Sequence, residues 1–203
     1  MAKESIRQKL LKTVYPLFIR LTRIVNANST ILENKDQKKS LVPFFNLPVV
    51  LNNGQQVNME HYRGKKLLLV NTASDCGYTG QFSELQQLSD KYKEALQVIG
   101  FPANDFKEQE KGSDADIAAF CSLNYGVSFP LARKSSVVKG PEQNPVFAWL
   151  SQESQNGWNN HQPDWNFSKY LVSDGVLTHY FAPSISPLSE EVRKAIEDKS
   201  AGT

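Results

Sequence analysis

The sequence predicts an α/β domain with a central mixed sheet flanked by helices, and three observations carry that prediction. Residues 66–71 (KLLLVN) form a short apolar run bounded by Gly64 and a polar turn, the pattern of a strand buried on both faces. Residues 81–92 place Phe82, Leu85, Leu88 and Tyr92 at helical spacing, and residues 96–101 (LQVIGF) return to strand character, which completes a βαβ unit. Residues 170–173 and 176–181 are joined through Asp174-Gly175, the dipeptide that favours a two-residue hairpin turn.

The remaining elements follow in chain order. Over residues 9–25 the apolar side chains Leu10, Leu11, Val14, Leu17, Phe18, Leu21, Ile24 and Val25 recur at three- and four-residue steps, so they share one helical stripe. Its charges are all basic, because no acidic residue falls between Glu4 and Glu33, and Pro16 is expected to kink it. Two readings of this N-terminal amphipathic helix stand side by side: peripheral contact with an anionic membrane surface, or packing on its own domain or a second subunit. Lys12, Arg20 and Arg23 break up the apolar stretch that a cleavable signal requires. Residues 26–40, rich in Asn, Lys, Ser and Asp, read as a polar linker, which divides the chain into residues 1–40 and a domain over 41–203. Beyond the βαβ unit, residues 114–123 predict a helix carrying Ile117, Phe120 and Cys121. Residues 145–150 predict a second with Pro in its first turn, and residues 190–199 predict a closing helix. Two parallel strands, then an antiparallel hairpin, with helices on either side, is the element order of a thioredoxin-like fold.

Size and composition agree with one core. The chain has 203 residues, 40% of them hydrophobic, enough for one α/β domain and an appendage. A formal net charge of +2 supplies no field for a nucleic-acid partner. No apolar run approaches the roughly 20 residues of a membrane-spanning helix. Two cysteines, Cys76 and Cys121, are too few for a disulfide-stapled secreted scaffold, which points to a reducing, cytoplasmic setting. Neither they nor the scattered His61, His161 and His179 form a metal-ligand pattern, and no cofactor motif stands out. The cysteine pair leaves two possibilities, inert core thiols or a redox couple.

Cys76 lies in the turn NTASDCGYT, after a predicted buried strand and before a predicted helix, where backbone amides and the helix dipole stabilise an anion. A lowered thiol pKa is expected there, although Asp75 opposes it. Thr79 stands three positions on, so the pair of thiols of a dithiol oxidoreductase is missing. A lone thiolate is suited to taking an oxygen from a peroxide and becoming a sulfenic acid, after which a second thiol condenses with it. Cys121 is the one internal candidate, and reaching Cys76 requires the two Cα atoms to come within about 7 Å. The peroxiredoxin signature would need Pro at position 69 and Thr or Ser at 73, where this chain has Leu69 and Ala73.

Residues 66–79, above all VNTASDCGYT, resemble the active-site signature of the glutathione peroxidase family. Residues 100–106 (GFPANDF) followed by Gln109-Glu110 look like its second signature, FCSLNYGVSFPL is similar to bacterial members, and Trp165-Asn166-Phe167 resembles the third. The resemblance spans roughly residues 41–192. It implies a thiol peroxidase that reduces hydrogen peroxide and organic or lipid hydroperoxides, with Cys76 as the peroxidatic nucleophile and Gln109, Trp165 and Asn166 around it. The amides and the indole N–H can all donate hydrogen bonds to developing negative charge. Cys121 is implied as the resolving thiol, although it lies one position before the resolving cysteine of plant and yeast members when Phe129-Pro130 is aligned.

Either thioredoxin or glutathione is implied as reductant, with two cysteines favouring thioredoxin. The short stretch before Trp165 lacks room for the assembly loop of tetrameric relatives, which implies a monomer or dimer. A different class of function, a redox sensor relaying oxidation of Cys76 to a partner protein, uses the same thiol.

Overall fold

A computed structural model describes residues 29–198 together with Leu10 and Val14, both helical and exposed. The rest of the amphipathic stripe over residues 9–25 lies outside the described residues. The central sheet has five strands in the order β1-β7-β6-β4-β5. Its members are β1 (Ile31–Glu33), β4 (Lys66–Thr72), β5 (Leu96–Pro102), β6 (Lys169–Ser173) and β7 (Val176–Phe181). The β4/β5 pair is parallel and the other neighbours are antiparallel, so the sheet is mixed as the sequence predicts. A separate hairpin pairs β2 (Pro48–Val50) with β3 (Gln56–Asn58).

The apolar run of β4 sits at the centre of the domain because its side chains alternate between two cores. Leu68 and Val70 join one core with α1 (Gln81–Lys91), α2 (Asp114–Tyr125) and α5 (Glu190–Glu197). Leu67 and Leu69 join the other, with α3 (Pro145–Leu150), Phe44, Phe45 and Met59. Each fully buried side chain of this kind contributes about 1.5–3 kcal/mol. The Asp174-Gly175 turn joins β6 to β7 with φ of 47° and 78°, the two positive values that a type I′ turn requires.

Helix α2 is closed at both ends. Ser113 and Asp116 form a capping box, the Ser113 hydroxyl accepting the Asp116 N–H at 3.2 Å while the Asp116 carboxylate accepts the Ser113 N–H. At the other end Gly126 turns left-handed at φ 66°, and Val127 donates its N–H to the Cys121 carbonyl at 3.2 Å.

Two differences from the sequence prediction are instructive. The stretch 26–40, expected as a linker, holds the edge strand β1, which pairs Ile31–Glu33 with β7. Its continuation is tied down as well: Asn34 Nδ2 donates to the Leu177 carbonyl, the Ser40 hydroxyl donates to the Gly175 carbonyl, and the Lys39 carbonyl occupies the space a Cβ on Gly157 would need. Three residues with mostly exposed side chains carry no readable period, so only pairing with β7 reveals the strand. The β2/β3 hairpin and the one-turn helix α4 (Glu153–Asn156) escape prediction for the same reason of length. Among the described residues no helix is long and apolar enough to cross a membrane.

Candidate active site

Strand β4 ends at Thr72, and residues 73–80 turn the chain into α1. Cys76 sits in that turn with its side chain buried. The Thr79 hydroxyl holds the turn closed by accepting the Cys76 N–H at 3.0 Å and reaching back to the Ala73 and Cys76 carbonyls. Tyr78 then points its backbone N–H at Cys76 Sγ, 3.4 Å away.

The loop before β6 brings two further donors. Asn71 on β4 zips this loop to the strand that leads to Cys76. Its Nδ2 donates to the Trp165 carbonyl at 3.0 Å, and its own carbonyl accepts the Phe167 N–H at 2.7 Å. Phe167 is fully buried at φ 68°, a conformation costing a bulky residue on the order of 1–3 kcal/mol, and it packs edge-on against Phe82 of α1. That fixed geometry sets the Trp165 indole and the Asn166 amide beside the sulfur, where both favour the thiolate. Lys169, buried at the start of β6, locks the arrangement from below by donating to the Phe167 carbonyl at 2.7 Å and to Gln81 Oε1 at 2.9 Å. Burial pushes its ammonium down to about 7.

Gln109 enters from the loop after β5. Lys107 and Glu108 both adopt positive φ, 51° and 52°, so the loop curls back on itself. The Gln109 carbonyl accepts the Asp75 N–H at 3.1 Å, and its Oε1 accepts from Asn166 Nδ2 at 2.9 Å. Gln109 therefore touches the thiol's neighbours on both sides and orients Asn166. Trp165 is flanked by Phe106, 5.4 Å between ring centroids, and by the Lys107 ammonium 5.7 Å from its ring.

The lowered thiol pKa expected from sequence is corrected by the structure. Burial pushes the Cys76 thiol up, while the Tyr78 N–H, the Trp165 indole and the Asn166 amide pull it down and Asp75 adds to the rise. The first residue of α1 is Gln81, too far along the chain for the helix amides to converge on Cys76, so one backbone donor and two side chains carry the stabilisation.

Cys121 lies one turn before the end of α2 and is also fully buried. It belongs to the same apolar core as Cys76, and both thiols are free. Burial and the nearby Glu110 carboxyl push the Cys121 thiol far up. The structure thus gathers Cys76, Gln109, Trp165 and Asn166 into one site and leaves Cys121 on its own helix in the core beneath. Asn71, Ser74 and Glu110 lie inside the family signatures but receive no role from the sequence, and Lys169 lies outside them; all four hold the site together. Burial of a Lys or Glu has no local signature, so position in or near a family motif is its visible trace in the sequence.

The sequence matches the family model for glutathione peroxidase over residues 44–151. The chain belongs to the glutathione peroxidase family. It is accordingly an oxidoreductase of the peroxidase type. A glutathione peroxidase of Lactococcus lactis is 39% identical over 157 residues, covering 75% of this chain and 99% of that protein. Among solved structures, the apo form of Trgpx is similar with a TM-score of 0.59 at 30% identity, covering 78% of this chain and 98% of that one. A thiol:disulfide interchange protein of the thioredoxin family from Chlorobium tepidum shares the fold at a TM-score of 0.55 and 13% identity, covering 79% and 97%. The thioredoxin-like fold expected from element order is therefore the fold of this family member.

Proposed function

We propose that this glutathione peroxidase family member reduces hydrogen peroxide and organic hydroperoxides through Cys76 and is recycled by thioredoxin through Cys121. The observation that carries the reading is one buried sulfur that accepts the Tyr78 N–H at 3.4 Å and has the Trp165 indole and the Asn166 amide beside it, all three favouring the thiolate. Donors fixed before reaction stabilise the thiolate and the oxygen leaving the peroxide without reorganising during the step. The thiolate attacks the terminal oxygen of ROOH, the O–O bond breaks, and the departing alkoxide takes up a proton to leave as ROH. Cys76 becomes a sulfenic acid. The Cys121 thiol then displaces water from it to form a Cys76–Cys121 disulfide, and a reduced dithiol partner exchanges with that disulfide to restore both thiols.

Cys121 must leave its helical position for the second step, because a buried thiol pushed far up has little thiolate to offer. The natural route is unwinding of α2 from its Gly126 end back through Cys121. A cycle that returns both cysteines to thiols suits a reducing cytoplasm.

Peroxide treatment followed by mass spectrometry tests the assignment. The wild type is expected to stop at a Cys76–Cys121 disulfide, while Cys121→Ser accumulates sulfenic and sulfinic acid at Cys76. Identical products from both would make Cys121 structural and require an external thiol such as glutathione. Sustained peroxide loss with thioredoxin present is expected of the enzyme, whereas one stoichiometric oxidation without recycling would favour the redox-sensor reading.

A further inference from the structure

The loop that presents Gln109 has an awkward backbone, with two successive non-glycine residues at positive φ, and something must hold it. Glu110 is the next residue, and its side chain is directed inward. It is buried, 1% exposed, although a carboxyl in that environment ordinarily carries a heavy desolvation cost. Its Oε2 accepts the Ser74 hydroxyl at 2.9 Å, two residues before Cys76. Its backbone N–H donates to Asn104 Oδ1 at 2.9 Å, closing the loop on itself. Lys134, from the segment after α2, reaches the Glu110 and Gly112 carbonyls with its ammonium. Together with the Asp75 N–H on the Gln109 carbonyl, these contacts clip the Gln109 loop to the turn that carries Cys76.

We infer that Glu110 is a positioning residue, whose bond to Ser74 seats Gln109 against Asn166 and so aims the Asn166 amide at Cys76. The inference rests on the place of Gln109 in the proposed site. Its chain of contacts runs from Ser74 through Glu110 and Gln109 to Asn166, each link a hydrogen bond or a peptide bond. A buried group kept only to fill space would do better as an apolar side chain of similar volume. Retaining a carboxyl whose acceptor oxygen meets the active-site turn points to placement rather than packing.

The test measures the second-order rate of Cys76 oxidation by hydrogen peroxide in the full chain, by rapid acid quench and intact mass. Glu110→Ala is expected to slow it about tenfold or more, the scale of a misplaced donor. Glu110→Gln, whose amide oxygen still accepts the Ser74 hydroxyl, is expected within about threefold of wild type. In a Gln109→Ala background the further loss from Glu110→Ala should shrink below about twofold, because both changes remove the same effect. Ser74→Ala opens the clip from its other side and covers the case in which Glu110→Ala fails to fold.

Losses that multiply fully, or a Glu110→Gln as impaired as Glu110→Ala, would overturn the positioning role while leaving the peroxidase reading intact. No loss from Gln109→Ala would overturn both this inference and the assigned place of Gln109. Unimpaired oxidation in both Glu110→Ala and Ser74→Ala would overturn the inference alone.

Discussion

Cys76 and Cys121 share one apolar core, and both are nearly inaccessible, yet their surroundings prepare them for different work. Burial raises both thiols. Around Cys76 that rise is opposed by the Tyr78 N–H, the Trp165 indole and the Asn166 amide, whereas around Cys121 the Glu110 carboxyl adds to it. Burial alone makes a quiet thiol, and in the proposed function the donors are what set Cys76 apart from Cys121. The second difference is placement: Cys76 is pinned by a closed turn, while Cys121 sits one turn from the Gly126 end of α2.

Removing the favoured thiol has the largest expected effect. Cys76→Ser should lower peroxide turnover at least a thousandfold in a coupled assay, since a hydroxyl cannot supply the nucleophile and Cys121 has no donors to replace it. Retention of more than a few per cent of activity would erase the distinction between the two cysteines.

Removing the donors one at a time should make Cys76 more like Cys121. Trp165→Phe and Asn166→Ala are each expected to slow Cys76 oxidation about ten- to a hundredfold and to raise the pH at which the thiol reacts with iodoacetamide. An unchanged alkylation profile would mean that the donors act on the leaving oxygen rather than on the thiolate.

Glu110 stands between the two thiols, and pH separates its effects. Burial raises its carboxyl from 4.5 to about 7, ahead of the opposing bonds from Ser74. A carboxyl raised in the folded state contributes stability that is fully present below its unfolded pKa and is lost as pH rises through the folded value. Chemical denaturation should therefore show Glu110→Gln gaining on wild type by about 3 kcal/mol between pH 4 and pH 8. A difference independent of pH would place the carboxyl in solvent.

The smallest effect should come from the end of α2. Gly126→Ala forces a side chain into φ 66° and is expected to cost about 1 kcal/mol, fraying the turn that carries Cys121. Disulfide formation after peroxide oxidation should then quicken a few-fold, read by quenched mass spectrometry, while the oxidation of Cys76 itself stays unchanged.

Much of the frame is written locally. The β4 run, the helix periods of α1 and α2 and the Asp174-Gly175 turn are each legible because the residues that specify an element are neighbours in the chain. The position of Cys76 after a central strand is legible for the same reason, and resemblance to a family supplied Gln109, Trp165 and Asn166. What only the tertiary structure decides is what those residues experience. The edge strand β1 exists through pairing with β7, far along the chain. Asn71 reaches across to the Trp165 loop, Ser74 meets Glu110, and Lys169 bridges Phe167 and Gln81. The sign of the Cys76 shift reverses for the same reason. Turn position is local and predicts a lowered pKa, but desolvation is a property of everything packed around the sulfur, and only the folded chain brings that together.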